Sequence, residues 1–310
     1  MNYRKLGSTG LTVSEIGLGA EWLERHTTEE CAAVISCCEE QGINILDCWM
    51  SEPNVRTNIG KAIAGRRDKW IIQGHIGSTW QNGQYVRTRD IAQDKPAFED
   101  LLERLGTDYI DLIVVHYVCK DWPVEETMGA LQELIKEGKI RAVGLSNSQP
   151  GDLEEYCKYG TVALVQEFFS LLSPYHGGDY FPVTDKHGTT FQVYGALEEG
   201  FLTAPDFVDR TFPAGDVRGK LPWIHEPIKG NIHKLFDVMK PLTEKYNCSY
   251  SNLVQAWTLA QYPNLSLLTG FRRVETMENT CKSLDLQLEA ADIALLSEAA
   301  KPAQVKVLDK

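Results

Sequence analysis

The sequence predicts an α/β protein, a (β/α)8 TIM barrel that spans residues 1–310 as one domain. Three observations carry this expectation. Short apolar, β-branched runs alternate with amphipathic helical segments along the chain. Polar and ionisable side chains collect at the C-terminal ends of those runs, where such a barrel places its chemistry. The doubly wound alternative wants a Gly-rich phosphate loop after its first strand, and "IGLGAEWLE" only loosely resembles one.

The elements follow in order. "SEIGLG" (14–19) reads as the first strand, and "TTEECAAVISCCEEQG" (27–42) as a helix. Thr27 and Glu30 form a capping box, and Cys31, Val34, Ile35 and Cys38 share one helical face. "INILD" (43–47) is the second strand and 54–65 the second helix. "KWIIQGH" (69–75) is the third strand and 96–106 the third helix. "YIDLIVVH" (109–116) is the fourth strand, and its helix begins at Val124 and is closed by Gly138. "RAVGLSN" (141–147), a helix over 152–160, "ALVQEFF" (163–169) and "TTFQVYGAL" (189–197) come next. Residues 198–227, with several Pro and Gly, read as a long loop. Helices over 231–247 and 249–262, the strand "LSLLTGF" (265–271) and a helix over 274–284 complete the series.

Composition narrows the function classes. A net charge of −12 argues against a general nucleic-acid or anionic-membrane surface. No apolar run reaches membrane-spanning length, and "MNYRKLGSTG" lacks the apolar stretch of a signal peptide, so a cytoplasmic protein is expected. Eight cysteines without any CxxC pair read as reduced, mostly buried thiols.

The strand tips supply the candidate site. They bring Asp47 with Glu52 on its loop, His75, His116 followed by Tyr117, Ser146 and Asn147, Gln166 and Glu167, Tyr194, and the run Gly270, Phe271, Arg272 and Arg273. Any one of these reads equally well as a hydrogen-bonded structural residue. Together they point to a functional mouth, because buried polar groups cost free energy unless they are paired or used. Trp49, Trp80 and Trp122 fall in mouth loops, where they suit either loop packing or a sugar face.

The stretches "YRKLGSTGLTVSEIGLGA", "LGTDYIDLIVVHYV", "LIKEGKIRAVGLSN", "VQEFFSLL", "FQVYGAL" and "TGFRRVETMEN" resemble, in order, landmarks of the aldo-keto reductase superfamily. The resemblance covers nearly the whole chain. It implies a bound nicotinamide cofactor, NADP(H) or NAD(H), across the barrel mouth and a small-molecule carbonyl or sugar substrate. Ser146, Asn147 and Gln166 match residues that hold the carboxamide, and Tyr194 the aromatic that stacks on the ring. Gly270, Phe271, Arg272 and Arg273 match the loop on the adenosine phosphate. Asn279, placed at the start of the last helix, matches an adenine contact.

The catalytic set departs from the family pattern of Asp, Tyr, Lys and His. Asp47 and His116 match. Gly74-His75 stands where the lysine belongs, Glu52 falls near the tyrosine's place, and no tyrosine lies between Asp47 and His75. The expected catalytic group is therefore Asp47, Glu52, His75 and His116, with Tyr117 and Tyr85 as further acids. The same groups would also suit a redox-neutral epimerase or lyase that uses bound nicotinamide, or a divalent metal held by two carboxylates and two imidazoles. A non-catalytic nucleotide-binding module is the remaining alternative.

Overall fold

The computed structural model describes residues 1–49, 53–81, 84–88, 91–116, 118, 123–271 and 273–306. Eight parallel strands close into a barrel: β1 (Ile16–Gly19), β2 (Ile45–Asp47), β3 (Ile71–Ile76), β4 (Ile110–His116), β5 (Ile140–Ser146), β6 (Val162–Phe168), β7 (Thr190–Tyr194) and β8 (Leu265–Gly270). Each strand pairs with its sequence neighbours, and β8 closes on β1 through Leu267↔Ile16 to Gly270↔Gly19. An antiparallel hairpin, Tyr3–Lys5 with Thr12–Ser14, plugs the N-terminal end. Its Leu6 and Val13 pack with Ile45, Ile71, Leu112, Val114, Ala142 and Leu164 in an apolar cluster separate from the outer core.

Strand alternation decides which side chains share that interior. Along β3 the inward set is Ile71, Gln73 and His75. Along β4 it is Leu112, Val114 and His116, and along β6 it is Leu164, Gln166 and Phe168. The barrel therefore grades from aliphatic at the plugged end, through an amide layer, to imidazole and carboxylate at the mouth. The opposite residues pack outward against the helices, as Ile72, Ile113, Val115 and Val165 do in the outer core.

The helices are α1 (Thr28–Glu40), α2 (Pro53–Ala62), α3 (Ile91–Leu105), α4 (Val124–Lys136), α5 (Pro150–Tyr156), α6 (Tyr175–His187), α7 (Ile228–Lys245), α8 (Tyr250–Leu259), α9 (Val274–Cys281) and α10 (Ala290–Ala300). The capping box of α1 is present, with Glu30 N donating to Thr27 Oγ1 at 3.2 Å and Thr27 N donating to Glu30 Oε2 at 2.8 Å. Gly138 closes α4 at φ 72°.

Three parts differ from the sequence expectation. Helix α3 starts five residues earlier than predicted and carries Pro96 within it. Helices α6 and α10 were not anticipated. The 198–227 connection contains short helical turns at Glu198–Gly200, Pro205–Val208, Val217–Lys220 and Pro222–Ile224. Among the described residues no helix is long and apolar enough to cross a membrane. Among the described residues seven cysteines are free thiols, four of them buried.

Candidate active site

Asp47, His75 and His116 end neighbouring strands on inward parity, and the structure brings them together. His75 Nε2 lies 3.1 Å from Asp47 Oδ1, with both side chains buried. That approach is close but off-line for a hydrogen bond, and His75 Nδ1 has no hydrogen-bond partner among the described residues. The His75 and His116 rings are 5.3 Å apart, and Trp49 meets His116 edge-on at 6.2 Å.

Asp47 is fixed from two further sides. Trp49 N donates to Oδ1 at 2.8 Å, and Gln166 Nε2 donates to Oδ2 at 2.9 Å. Trp49 sits at φ 42°, in the left-handed region that a bulky residue enters only under constraint, and this aims its N–H at the carboxylate. Beneath lies the amide layer. Gln73 and Gln192 exchange two hydrogen bonds of 3.0 Å, and Gln166 adds a third to Gln192 at 2.9 Å. Neither Gln73 nor Gln192 figured in the sequence reading, yet counting back two residues from His75 and Tyr194 finds both.

His116 is held in one state. Asn147 Nδ2 donates to His116 Nδ1 at 3.4 Å, which assigns the ring proton to Nε2. Burial, then the neighbouring His75 and Arg87, push its pKa down to about 2, so the ring is neutral at any working pH. Asn147 itself lies at φ 51°, and its Oδ1 accepts from the Tyr194 hydroxyl at 2.5 Å. Ser146 Oγ donates to Gln166 Oε1 at 3.2 Å, so the three residues matched to carboxamide binding form one linked network with Asp47.

The turn after His75 is built around Gly77. It sits at φ 102°, and a Cβ there would lie 2.4 Å from the His116 carbonyl oxygen, so only glycine fits. Its N–H donates to the buried Asp94, which also accepts from the Thr88 hydroxyl. This anchors a small hairpin, Ser78–Gln81 with Gln84–Arg87, beside the mouth.

A groove of about 380 Å³ leads away from Tyr194. Its walls include Gly195, Thr203, Phe207, Arg218, Gly270 and Thr276. Phe168 braces Tyr194 edge-on at 5.6 Å, and Tyr194 is half-buried. Trp22 packs against Gly270, where a Cβ would sit 2.0 Å from its ring. A long groove with an aromatic at its inner end, hydroxyls on its walls and one guanidinium fits a dinucleotide, and the volume is in the range of small-molecule sites.

Several sequence expectations change here. Glu167 does not face the mouth: one step from Gln166, it points outward to Ser148 and Tyr180. The Phe271 side chain is fully buried in the outer core and offers the groove no ring. Arg273 is exposed just before α9. Asn279 lies in the last turn of α9 rather than at its start, and α10 follows, so this is not the last helix. Its amide reaches Ser249 Oγ at 3.4 Å, and it borders a separate depression with Met1 and Gln41. Glu52, Arg272, Tyr117 and Trp122 lie outside the described residues, as do the side chains of Trp80 and Tyr85. Among the described residues no group of three His, Cys, Asp or Glu is placed to hold a metal ion.

Comparison with known proteins places the chain. It is 28% identical to the NADH-specific methylglyoxal reductase of Escherichia coli, over 96% of this chain and 97% of that protein. It is 29% identical to an aldo-keto reductase of Bacillus subtilis, over 90% of this chain and 87% of that one. The glycerol dehydrogenase structure from Gluconobacter oxydans superposes with a TM-score of 0.89 at 24% identity, covering 99% of this chain and 96% of that one, which bears on the fold alone. A sequence model of the aldo/keto reductase family matches residues 15–301, nearly all of the barrel with its mouth residues, and the chain belongs to that family of oxidoreductases.

Proposed function

We propose that this oxidoreductase uses NAD(P)(H) to interconvert a small polar carbonyl, or a sugar-like substrate, with its alcohol, and that Asp47, His75 and His116 handle the proton. The observation that supports this most is the convergence of those three side chains beside a groove that begins at Tyr194. Tyr194, Asn147, Ser146 and the groove walls around Gly270 and Arg218 would hold the cofactor. A bound nicotinamide supplies the hydride for reduction or accepts it in reverse.

The protein's own residues do the rest. His116 stays neutral and presents Nε2–H, a hydrogen-bond donor for the carbonyl oxygen that carries no net charge. His75 is the imidazole left to carry the proton, with Asp47 Oδ1 at 3.1 Å as its fixed counter-charge whenever it does. Glu52, on the loop after Asp47, is a second proposed acid. Trp49 and the buried amide layer hold the carboxylate still.

The name of one relative, a methylglyoxal reductase, favours a short, oxygen-rich substrate. The test is a panel of methylglyoxal, glyceraldehyde, dihydroxyacetone and free sugars with NADH and with NADPH. Stoichiometric loss of nicotinamide absorbance is expected with a small polar carbonyl. Sugar turnover with no net absorbance change would assign the site to epimerisation or elimination instead, and absence of nicotinamide binding would overturn the reading.

A further inference from the structure

The mouth network is held from outside the barrel by a group that plays no part in the proposed chemistry. Glu167 is buried on the outer face of β6. Its Oε1 accepts from Ser148 N at 3.0 Å and from Ser148 Oγ at 2.8 Å. The Tyr180 hydroxyl, from α6, lies 2.7 Å from Ser148 Oγ and 3.4 Å from the same carboxyl oxygen. Ser148 directly follows Asn147, the residue at φ 51° whose amide meets both His116 and Tyr194.

We propose that Glu167 is a positioning residue: by gripping Ser148 at two points it fixes the left-handed turn at Asn147 and so aims the Asn147 amide at His116. The alternation of β6 makes this coupling possible. Gln166 faces in and holds Asp47, while its neighbour faces out and holds the turn that orients His116. One strand tip therefore positions both Asp47 and His116. Asn is among the few residues with a Cβ that enter the αL region readily, so hydrogen bonds from its neighbours are enough to fix Asn147 there. Here the backbone contribution from inside the barrel is a long contact, Asn147 N to Gln166 O at 3.4 Å; the Tyr194 hydroxyl holds the Asn147 side chain at 2.5 Å, and Glu167 holds the next residue of the turn at 2.8 and 3.0 Å.

The groups facing Glu167 are Ser148, Tyr180 with His176 packed 6.3 Å beyond it on α6, and Asp152 on α5. Burial outweighs the bonds from Ser148 and Tyr180, and with a smaller push from Asp152 it raises the carboxyl pKa to about 8. The Asn147 turn thus rests on a group that changes charge in mildly alkaline solution.

This inference rests on the reading of Asn147 and His116 as parts of the active site, so its test includes a measurement that needs no cofactor. Wild type is compared with Glu167→Gln, Glu167→Met and Ser148→Ala. The ¹⁵N shifts of the His116 ring report its tautomer, and fluorescence titration reports the Kd for NADH and NADPH. Glu167→Met is expected to lose the single Nε2–H signature and to weaken nicotinamide binding about ten-fold. Glu167→Gln keeps the acceptor and restores both to within about two-fold. The Asn147 side-chain amide signals should step near pH 8 in wild type and not in Glu167→Gln. A folded Met variant with unchanged tautomer and Kd overturns the proposal, as does the absence of that step. If the Met variant does not fold, Ser148→Ala decides by the same tautomer readout. If wild type binds no nicotinamide, the functional reading fails, while the ring-nitrogen measurement still judges Glu167.

Discussion

The mouth and the strap beside it are built in opposite ways. Asp47, His75, His116, Ser146 and Gln166 lie at or near the ends of barrel strands and are buried, each in polar contact with another of them, with Asn147 or with the backbone. The strap, residues 195–221, is a chain of short helical turns, largely exposed or half-buried. It is held by the Phe201, Phe207 and Phe212 rings and by Arg218 over the Phe212 face at 4.8 Å. The difference teaches how one fold divides labour. Reacting groups need placement to a fraction of an ångström, which strand parity and a second ring of hydrogen bonds supply. A long ligand needs a wall that follows its length, which turns supply at lower rigidity.

That division makes its largest prediction at His75. Replacing it with leucine keeps the buried volume but removes the proposed proton carrier. We expect kcat to fall roughly 10²- to 10⁴-fold, the usual worth of a general acid, with nicotinamide Kd almost unchanged. Steady-state kinetics and a fluorescence titration of the same sample measure the two quantities separately. An equal loss in both would mean that His75 itself also carries cofactor affinity, and the division between reacting and binding groups would fail.

The two regions also differ in how far the sequence disclosed them. Strand tips were legible because β-branched runs mark the strands and alternation then fixes facing: Asp47, His75 and His116 each close such a run. The same rule, carried one residue further, assigns Gln73 and Gln192 to the interior and Glu167 to the outside. Taken as a set without that parity, the tip residues include Glu167, which the alternation turns away from the mouth. Helix α6 was illegible for a different reason. It contains Gly177, Gly178 and Pro182, which propensity reads as loop, and tertiary packing overrides them: Phe181 stacks on Tyr262 at 4.4 Å, and Tyr180 is fully buried. In α10 the run "AADIALLSEAA" is apolar almost all round and shows no clear stripe, so its docking through Leu296 and Ala300 had no periodic signal. The strap has no repeating pattern at all, and its turns depend on contacts such as Arg218 N to Asp216 Oδ1 at 3.0 Å.

The next effect in size concerns stability against pH, because buried titratable groups gather around the mouth. Glu167 has its pKa raised from 4.5 to about 8, so between those values the folded chain holds a proton that the unfolded chain has released. Its contribution is complete below pH 4.5 and is lost as pH rises through 8. The slope is at most about 1.4 kcal/mol per pH unit, roughly a few kcal/mol over the window. His116 acts at the other end. Its pKa is lowered from 6.5 to about 2, so its contribution is present above pH 6.5 and is lost as pH falls toward 2. Urea unfolding from pH 4 to 10 should show both limbs, and Glu167→Gln should flatten the alkaline one while leaving the acid one in place. An unchanged alkaline limb would show that this carboxyl is not the buried proton store described here.

The smallest effect belongs to the strap, and the reason is electrostatic. Arg218 is the one guanidinium among the described groove-lining residues, yet it is already engaged. Its Nε donates to Asp216 Oδ1 at 2.9 Å and its Nη2 to Oδ2 at 2.5 Å, and that pairing drives its pKa further up. A diphosphate in the groove would share a cation whose charge is mostly balanced, in a wall that water and salt can reach. Arg218→Ala should therefore raise nicotinamide Kd only about three- to ten-fold, with kcat at saturating cofactor unchanged. The salt dependence of binding should shrink along with it, because an exposed phosphate–guanidinium contact is screened while the buried mouth contacts are not. Titrations at low and high ionic strength measure both. A loss in kcat would show that the strap reaches into the chemistry. An unaltered Kd and salt slope would show that Arg218 serves Asp216 and the Phe207–Phe212 platform alone, leaving the strap as a wall that offers the diphosphate no cation from Arg218.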